Sequence, residues 1–241
     1  SNINLKNLSI EQATSAVHNA IVQDNPSLKL KNYDDPANTD LPQFSASCEP
    51  SNPGTNFTCY TYHINTNIIL PASNECPACS TVYVGYDVRV CQNNTTGLYS
   101  FHFFNFGIVP SGSCSDWWNC LGNLDPADAD RVIEEMRQMA SLLIERNYVI
   151  YWVSLYSPLC PNTFFSSDMA LETCYETCIT PIANPPYYTL ELISCGNKCC
   201  LRTRTFCKEL SGLITISSPQ YQTVGSSNCS NTSQCSVFSS G

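Results

Sequence analysis

Cysteine has the most chemistry to offer in this chain, and its sixteen copies would suffice for a metal centre, a thiol catalyst or a full set of disulfides. They are Cys48, Cys59, Cys76, Cys79, Cys91, Cys114, Cys120, Cys160, Cys174, Cys178, Cys195, Cys199, Cys200, Cys207, Cys229 and Cys235. A zinc site requires thiolates or imidazoles that converge on one point. CPAC (Cys76, Cys79) and CYETC (Cys174, Cys178) have no matching second pair at ribbon spacing, and the three histidines His18, His63 and His102 are scattered. No metal ligand and no cofactor is therefore assigned. A reactive dithiol at CPAC would need the start of a helix after a strand. SNECPACS reads instead as a loop ahead of a hairpin, so Cys76 and Cys79 are expected to pair with different partners. All sixteen are disulfide candidates, which places the chain in an oxidising compartment.

The densest run is SCGNKCCLRTRTFCKEL at residues 194–210. As a strand it would place Cys199, Leu201, Thr203, Thr205 and Cys207 on one face and Cys200, Arg202, Arg204, Phe206 and Lys208 on the other. Adjacent Cys199 and Cys200 then serve different layers. Lys198, Arg202, Arg204 and Lys208 form a basic stripe, which reads as a solvated or charge-guarded strand face. Its functional reading is a dock for an acidic partner. CGNKCCLRTRTFC resembles the Cys-Cys-x-Arg-Thr hairpins of uncharacterised, cysteine-rich secreted proteins of Bacteroidota. That resemblance is local; it implies a secreted compartment and no activity.

Serine chemistry has little local support. Neither Ser113 nor Ser115 in SGSCSDW sits in a Gly-x-Ser-x-Gly elbow. A triad gathered from distant residues depends on geometry alone, and any two of the twenty carboxylates could converge for glycoside hydrolysis. No catalytic residue is assigned, and the expectation is a protein that is not an enzyme. Trp117 and Trp118, between Cys114 and Cys120, are candidates for a stacking platform that would bind glycans; burial of at least one indole is the competing reading.

A net charge of −9 repels phosphate backbones and argues against nucleic acid as a partner. No apolar run approaches the ~18 residues of a membrane span, and Ser1 is not followed by a basic and apolar leader, so a processed, soluble or surface-attached protein is expected. Asn-x-Ser/Thr sites at Asn7, Asn56, Asn93, Asn94, Asn228 and Asn231 fit export.

The elements that must position these residues follow from periodicity. Ser9 and Gln12 have capping-box spacing, and Ile10, Ala13, Val17, Ala20 and Ile21 stripe a helix to about Asp24. STVYVGYDVRVC and LYSFHFFNFGIV, separated by NNTTG, predict a β-hairpin over 80–109. Asp125 and Pro126 open a second helix, expected to stop near Arg146 or Asn147. YVIYWVSLY then reads as a buried strand. Tyr187–Ser194, Lys198–Lys208 and Leu213–Ser217 read as a three-strand meander turning at CGNK and ELSG. Gly225–Gly241 is a polar tail tied only by Cys229 and Cys235.

The expected fold is a β-rich α+β domain, a disulfide-stapled antiparallel sheet or sandwich with one or two covering helices. Residues 1–47 form a cysteine-free arm with a helix, and 48–241 the stapled domain. The function expected from this organisation is a secreted, extracellular or cell-surface structural protein that assembles with copies of itself into a filament or surface layer. Ile3, Leu5, Leu8, Ile10, Val17 and Ile21 of the arm would make the joint, with SNINL adding a strand to a neighbour. A secreted adhesin for carbohydrate or another ligand, and a secreted hydrolase, are the alternatives.

Overall fold

The computed structural model describes residues 8–26, 29–32, 48, 53–172, 175–181, 188–194 and 199–225, with backbone alone for 29–32, 172, 175–181 and 188–194. The expected α+β sheet is present. Helix α1 (Ile10–Asp24) is followed by strands β1 (Lys29–Asn32), β2 (Phe57–Leu70), β3 (Cys79–Asn93) and β4 (Tyr99–Pro110). Helices α2 (Ser115–Asn123) and α3 (Pro126–Tyr156) precede β5 (Phe165–Glu172), β6 (Tyr175–Pro181), β7 (Tyr188–Ser194), β8 (Cys199–Lys208), β9 (Ile214–Ile216) and β10 (Gln220–Val224).

Eight strands form one sheet in the order β1-β2-β3-β4-β5-β8-β10, with β9 also on β8; β6 and β7 form a separate pair. All pairings are antiparallel except β4 with β5. A parallel neighbour cannot be reached by a tight turn, and α2 and α3 supply the crossover. The β3–β4 hairpin follows the alternation: Val82, Val84, Tyr86, Val88 and Val90 are all buried on one face.

Two sequence expectations fail, each for a physical reason. YVIYWVSLY is not a strand. α3 runs unbroken for 31 residues to a left-handed Ser157, with Pro158 just beyond. Tyr148 and Trp152, and Val149 and Val153, are buried pairs four apart that extend the stripe of Ile133, Met136, Ala140 and Ile144. An uninterrupted apolar run hides that helical spacing. The meander also fails at its first turn, because β7 pairs with β6 while β8 pairs with β5, β9 and β10. Turn CGNK and most of the tail lie outside the described residues. No described helix is long and apolar enough to cross a membrane.

The core lies between the helices and one face of the sheet. Phe101 and Phe103 of β4 meet Tyr148 of α3 edge-on, Phe101 also meets Trp152, and Tyr99 contacts Trp152, Tyr156 and Phe165. Such pairs contribute about 0.5–1.5 kcal/mol each beyond burial.

Helix α1 belongs to this same core. Ser9 and Gln12 form the expected capping box, and Ile10, Ala13, Val17 and Ile21 are buried in one cluster with β2, β3 and α3. The boundary between 1–47 and 48–241 thus separates cysteine content, not packing. Of the residues assigned to an intermolecular joint, Ile10, Val17 and Ile21 are satisfied within their own subunit and Leu8 packs beside them; Ile3 and Leu5 lie outside the described residues. Burying three such side chains contributes on the order of 5 kcal/mol, which is ample to keep α1 at home.

Three hydrogen bonds clasp α1 to α3: Tyr156 Oη donates to the Ala13 carbonyl, Tyr151 Oη donates to Asp24, and His18 Nε2 meets Tyr148 Oη, each at 2.9 Å. Burial pushes the His18 imidazole down from 6.5 to about 4. The unfolded chain therefore binds a proton that the folded one refuses between those values. The stability so gained is complete above pH ~6.5 and is lost as pH falls towards ~4, by about 3 kcal/mol. In paired melts from pH 7.5 to 4, the wild type should lose more stability on acidification than His18→Gln; parallel curves would reject this account of the α1 contact.

Candidate functional site

Most residues singled out for function are used inside the fold. Trp117 and Trp118 lie on α2, both buried, with rings edge to face at 5.1 Å. Trp118 Nε1 donates to the Ser111 carbonyl at 3.2 Å. They are core, not an outward platform. Cys114 and Cys120 around them do not close a loop on each other. Cys79–Cys114 and Cys76–Cys120 clamp α2 to the CPAC segment, so the two CPAC cysteines do take different partners and no dithiol is left there. No described group of residues is arranged to hold a metal ion.

The remaining described bridges are Cys59–Cys91 between facing residues of β2 and β3, Cys160–Cys207, and Cys48–Cys199. Cys200 makes no disulfide with another described cysteine. Cys174, Cys195, Cys229 and Cys235 lie outside the described residues, as does the Cys178 side chain.

The basic stripe is likewise not a solvated face. β8 is flanked by β5 on one side and by β9 and β10 on the other, and its even-numbered side faces α3. Arg202, 1% exposed, donates from Nη2 to Glu145 Oε2 at 2.8 Å and from Nη1 to Ser141 Oγ at 3.0 Å, while Ser167 Oγ donates to Glu145 Oε1 at 2.8 Å. Burial pushes the Glu145 carboxyl up, and Arg202 and Ser167 only partly counter it. Arg204 is half-buried beside this pair and acts on the same carboxyl. Lys208 is half-buried at the strand's end, and Lys198 lies outside the described residues.

Chemistry-bearing side chains converge on the opposite face. There one register row runs Thr61, Arg89, His102, Asp168, Thr203, Gln220 through β2, β3, β4, β5, β8 and β10. His102 Nδ1 lies 3.0 Å from Asp168 Oδ2, and Ser100 Oγ lies 3.4 Å from His102 Nε2. Burial pushes the Asp168 carboxyl up, but hydrogen bonds from His102 and Thr203 outweigh it and hold the group below its ordinary range. An ionised carboxylate only accepts, so Nδ1 carries the proton and the lone pair of a neutral imidazole falls on Nε2, towards Ser100.

A second couple lies in the next row. His63 Nδ1 and Asn105 Nδ2 each approach the buried Asp87 carboxylate at 2.6 Å. Asn105 holds a left-handed φ of 51° at the break in β3–β4 register, a conformation Asn tolerates, and the bulge aims its amide at Asp87. Sequence reasoning placed His102 on a strand but missed the partners of both histidines. Asp87 becomes a partner only with the β2–β3 register, and Asp168 only with the parallel β4–β5 pair, which cannot be read from spacing. Ser100 and His102, two apart on one strand, were the available signal.

A cavity of about 470 Å³ opens between α1, α3 and β2. Ile21, Ile64 and Tyr148 form part of its wall, and Asp24, Asn67 and Asn147 are exposed among its lining residues. No protein-family model, curated protein or solved structure matches the chain.

Arg202 offers a test of how far the sheet depends on its buried pair. Arg202→Met strands a buried carboxylate and should cost about 3–5 kcal/mol, whereas adding Glu145→Leu to it should restore most of the loss. The double-mutant cycle in urea measures this. Additive losses would show that the two side chains are not coupled.

Proposed function

We propose that the chain is a secreted structural protein that assembles with copies of itself through strand addition at the β10 edge. The disulfide-rich fold supports an extracellular setting. The observation that carries the assembly reading is the edge itself. Among the described residues β10, QYQTV, is the outermost strand on its side, and all five of its residues are exposed, Tyr221 at 63% and Val224 at 47%. Edge strands normally carry lysine, proline or a bulge against unwanted pairing; within β10 there is neither charge nor proline, and Pro219 lies just before it. Leu210 and Leu213, 92% and 63% exposed in the turn between β8 and β9, extend the apolar surface along this side.

The occupant of this edge is SNINL from a second copy. Its five residues equal the length of β10 and alternate Asn2 and Asn4 with Ile3 and Leu5. The donor is this stretch and not the whole arm, since α1 is committed to its own subunit. Head-to-tail addition of this kind propagates into a filament if the rotation does not close a ring.

A second reading rests on the 470 Å³ cavity. Its volume and its combination of apolar wall and amide-rich lining suit a neutral sugar or glycoside. Glycan-array binding that vanishes in Asn147→Trp, which would block the cavity, supports this reading; a flat array for the wild type removes it.

For the assembly reading, removal of residues 1–7 should leave α1, the disulfides and the melting temperature intact while abolishing filaments in electron microscopy. Tyr221→Lys should do the same from the acceptor side. Filaments of normal length from both variants would overturn the proposal, as would a wild type that remains monomeric at high concentration.

A further inference from the structure

We propose that Ser100 is a nucleophile activated by His102 and Asp168, and that the outer sheet face carries an acyl-transfer site for carboxylic esters. Three observations combine. The order Ser100 Oγ, His102 Nε2, Nδ1, Asp168 Oδ2 is continuous, at 3.4 and 3.0 Å, and it uses the two ring nitrogens in the sense that general-base catalysis requires. The 3.4 Å separation is loose, as such contacts commonly are before substrate binds. Asp168 has its own support: Thr203, opposite it in register, donates to the carboxylate, which keeps the anion oriented at the imidazole. All three side chains are part-buried, with His102 and Asp168 at 18% and 23% exposure. They are therefore held in place and still reachable from solvent.

The surroundings suit a small acyl group. Ser100 is flanked in its own row by the short side chains of Cys91 on β3 and Ser166 on β5, with Thr205 beyond. Arg89 stands opposite His102 in register, its guanidinium 5.5 Å from the Phe104 ring centre and its Nε donating to Thr61. Its place over Phe104 puts the guanidinium on the side of His102 away from Ser100.

The reaction balances as follows. Ser100 Oγ forms a bond to the ester carbonyl carbon and gives its proton to His102 Nε2, while Asp168 accepts from Nδ1–H. Collapse of the tetrahedral species breaks the carbon–oxygen bond, and the imidazolium returns its proton to the departing alkoxide. Water then attacks the acyl-serine with the same imidazole as base, releasing the acid and restoring Ser100. Amides, whose leaving groups are poorer, are expected to react far more slowly.

The test uses the intact, oxidised chain with diisopropyl fluorophosphate, which forms an Oγ–phosphorus bond as fluoride leaves. A single adduct on Ser100 should appear by peptide mass spectrometry, together with hydrolysis of p-nitrophenyl acetate above the buffer rate. Ser100→Ala should abolish both, and His102→Ala should lower them at least 100-fold. Added imidazole should restore labelling in His102→Ala, a rescue that a merely structural histidine would not show. Asp168→Asn should slow labelling at unchanged adduct position. Intact mass and melting temperature confirm that each variant is folded. No labelling of the wild type overturns the proposal, as does labelling of equal rate in folded Ser100→Ala. Should Ser100→Ala fail to fold, Ser100→Thr replaces it; an adduct of that variant at any other serine also overturns the proposal. Filament formation is read separately and is unaffected by either result.

Discussion

The buried pair between Arg202 and Glu145 is the constraint around which this architecture is organised. A guanidinium and a carboxylate, 1% and 0% exposed, cross from β8 to α3 in the middle of the helix-covered face. Desolvating both is expensive, and the cost is met only because Ser141 and Ser167 occupy further hydrogen-bonding positions from α3 and β5. The geometry allows one rotational setting of the helix and one strand register. A slip of either by one residue would bury an unpartnered charge. The pair therefore selects among packings more than it stabilises, and the aromatic cluster of Phe101, Phe103, Tyr148 and Trp152 fills in the setting so chosen.

The disulfides divide labour with that core. Cys76–Cys120 and Cys79–Cys114 hold the short α2 to the chain ahead of β3, and Cys160–Cys207 ties the exit of α3 to the end of β8. Both places flank the α2–α3 crossover, where the chain leaves the sheet and returns, and where no backbone ladder can hold it. Among the described bridges Cys48–Cys199 closes the longest separation, 151 residues, and brings Cys48 onto the outer face beside Phe104 and Ala170. Bridges of this reach constrain the unfolded chain most.

Much of this fold was legible in the sequence wherever one face of an element is wet. The β3–β4 hairpin alternates because its second face is polar, and α1 announces itself through Ser9, Gln12 and a clean apolar stripe. Legibility failed where both sides are buried or where polarity is spent inside. The end of α3 is apolar almost all round, so its helical period disappears in YVIYWV. Arg202 was read as surface because a lone arginine on a strand carries no mark of the glutamate, 57 residues earlier, that neutralises it. Trp117 and Trp118 were drawn outward by the cysteines beside them, whose true partners lie in another segment. Ser100 and His102 were visible as residues, but Asp168 joins them only through the parallel pairing that α3 imposes.

These failures share a direction. The residues whose chemistry first attracts notice, a tryptophan pair, Arg202 of the basic stripe and an apolar arm helix, are consumed by the helix-covered face. Their packing there needs no partner, whereas the outer face and the β10 edge present groups that the core does not use. Polar couples such as Ser100 with His102 and Asp168, or His63 with Asp87 and Asn105, contribute little to a core they do not face. An exposed, unguarded edge strand is a liability in a chain meant to stay single. Features that cost stability or solubility and return nothing to the fold are the ones that require an explanation outside it. In this molecule they lie on the outer face of the sheet and along its β10 edge.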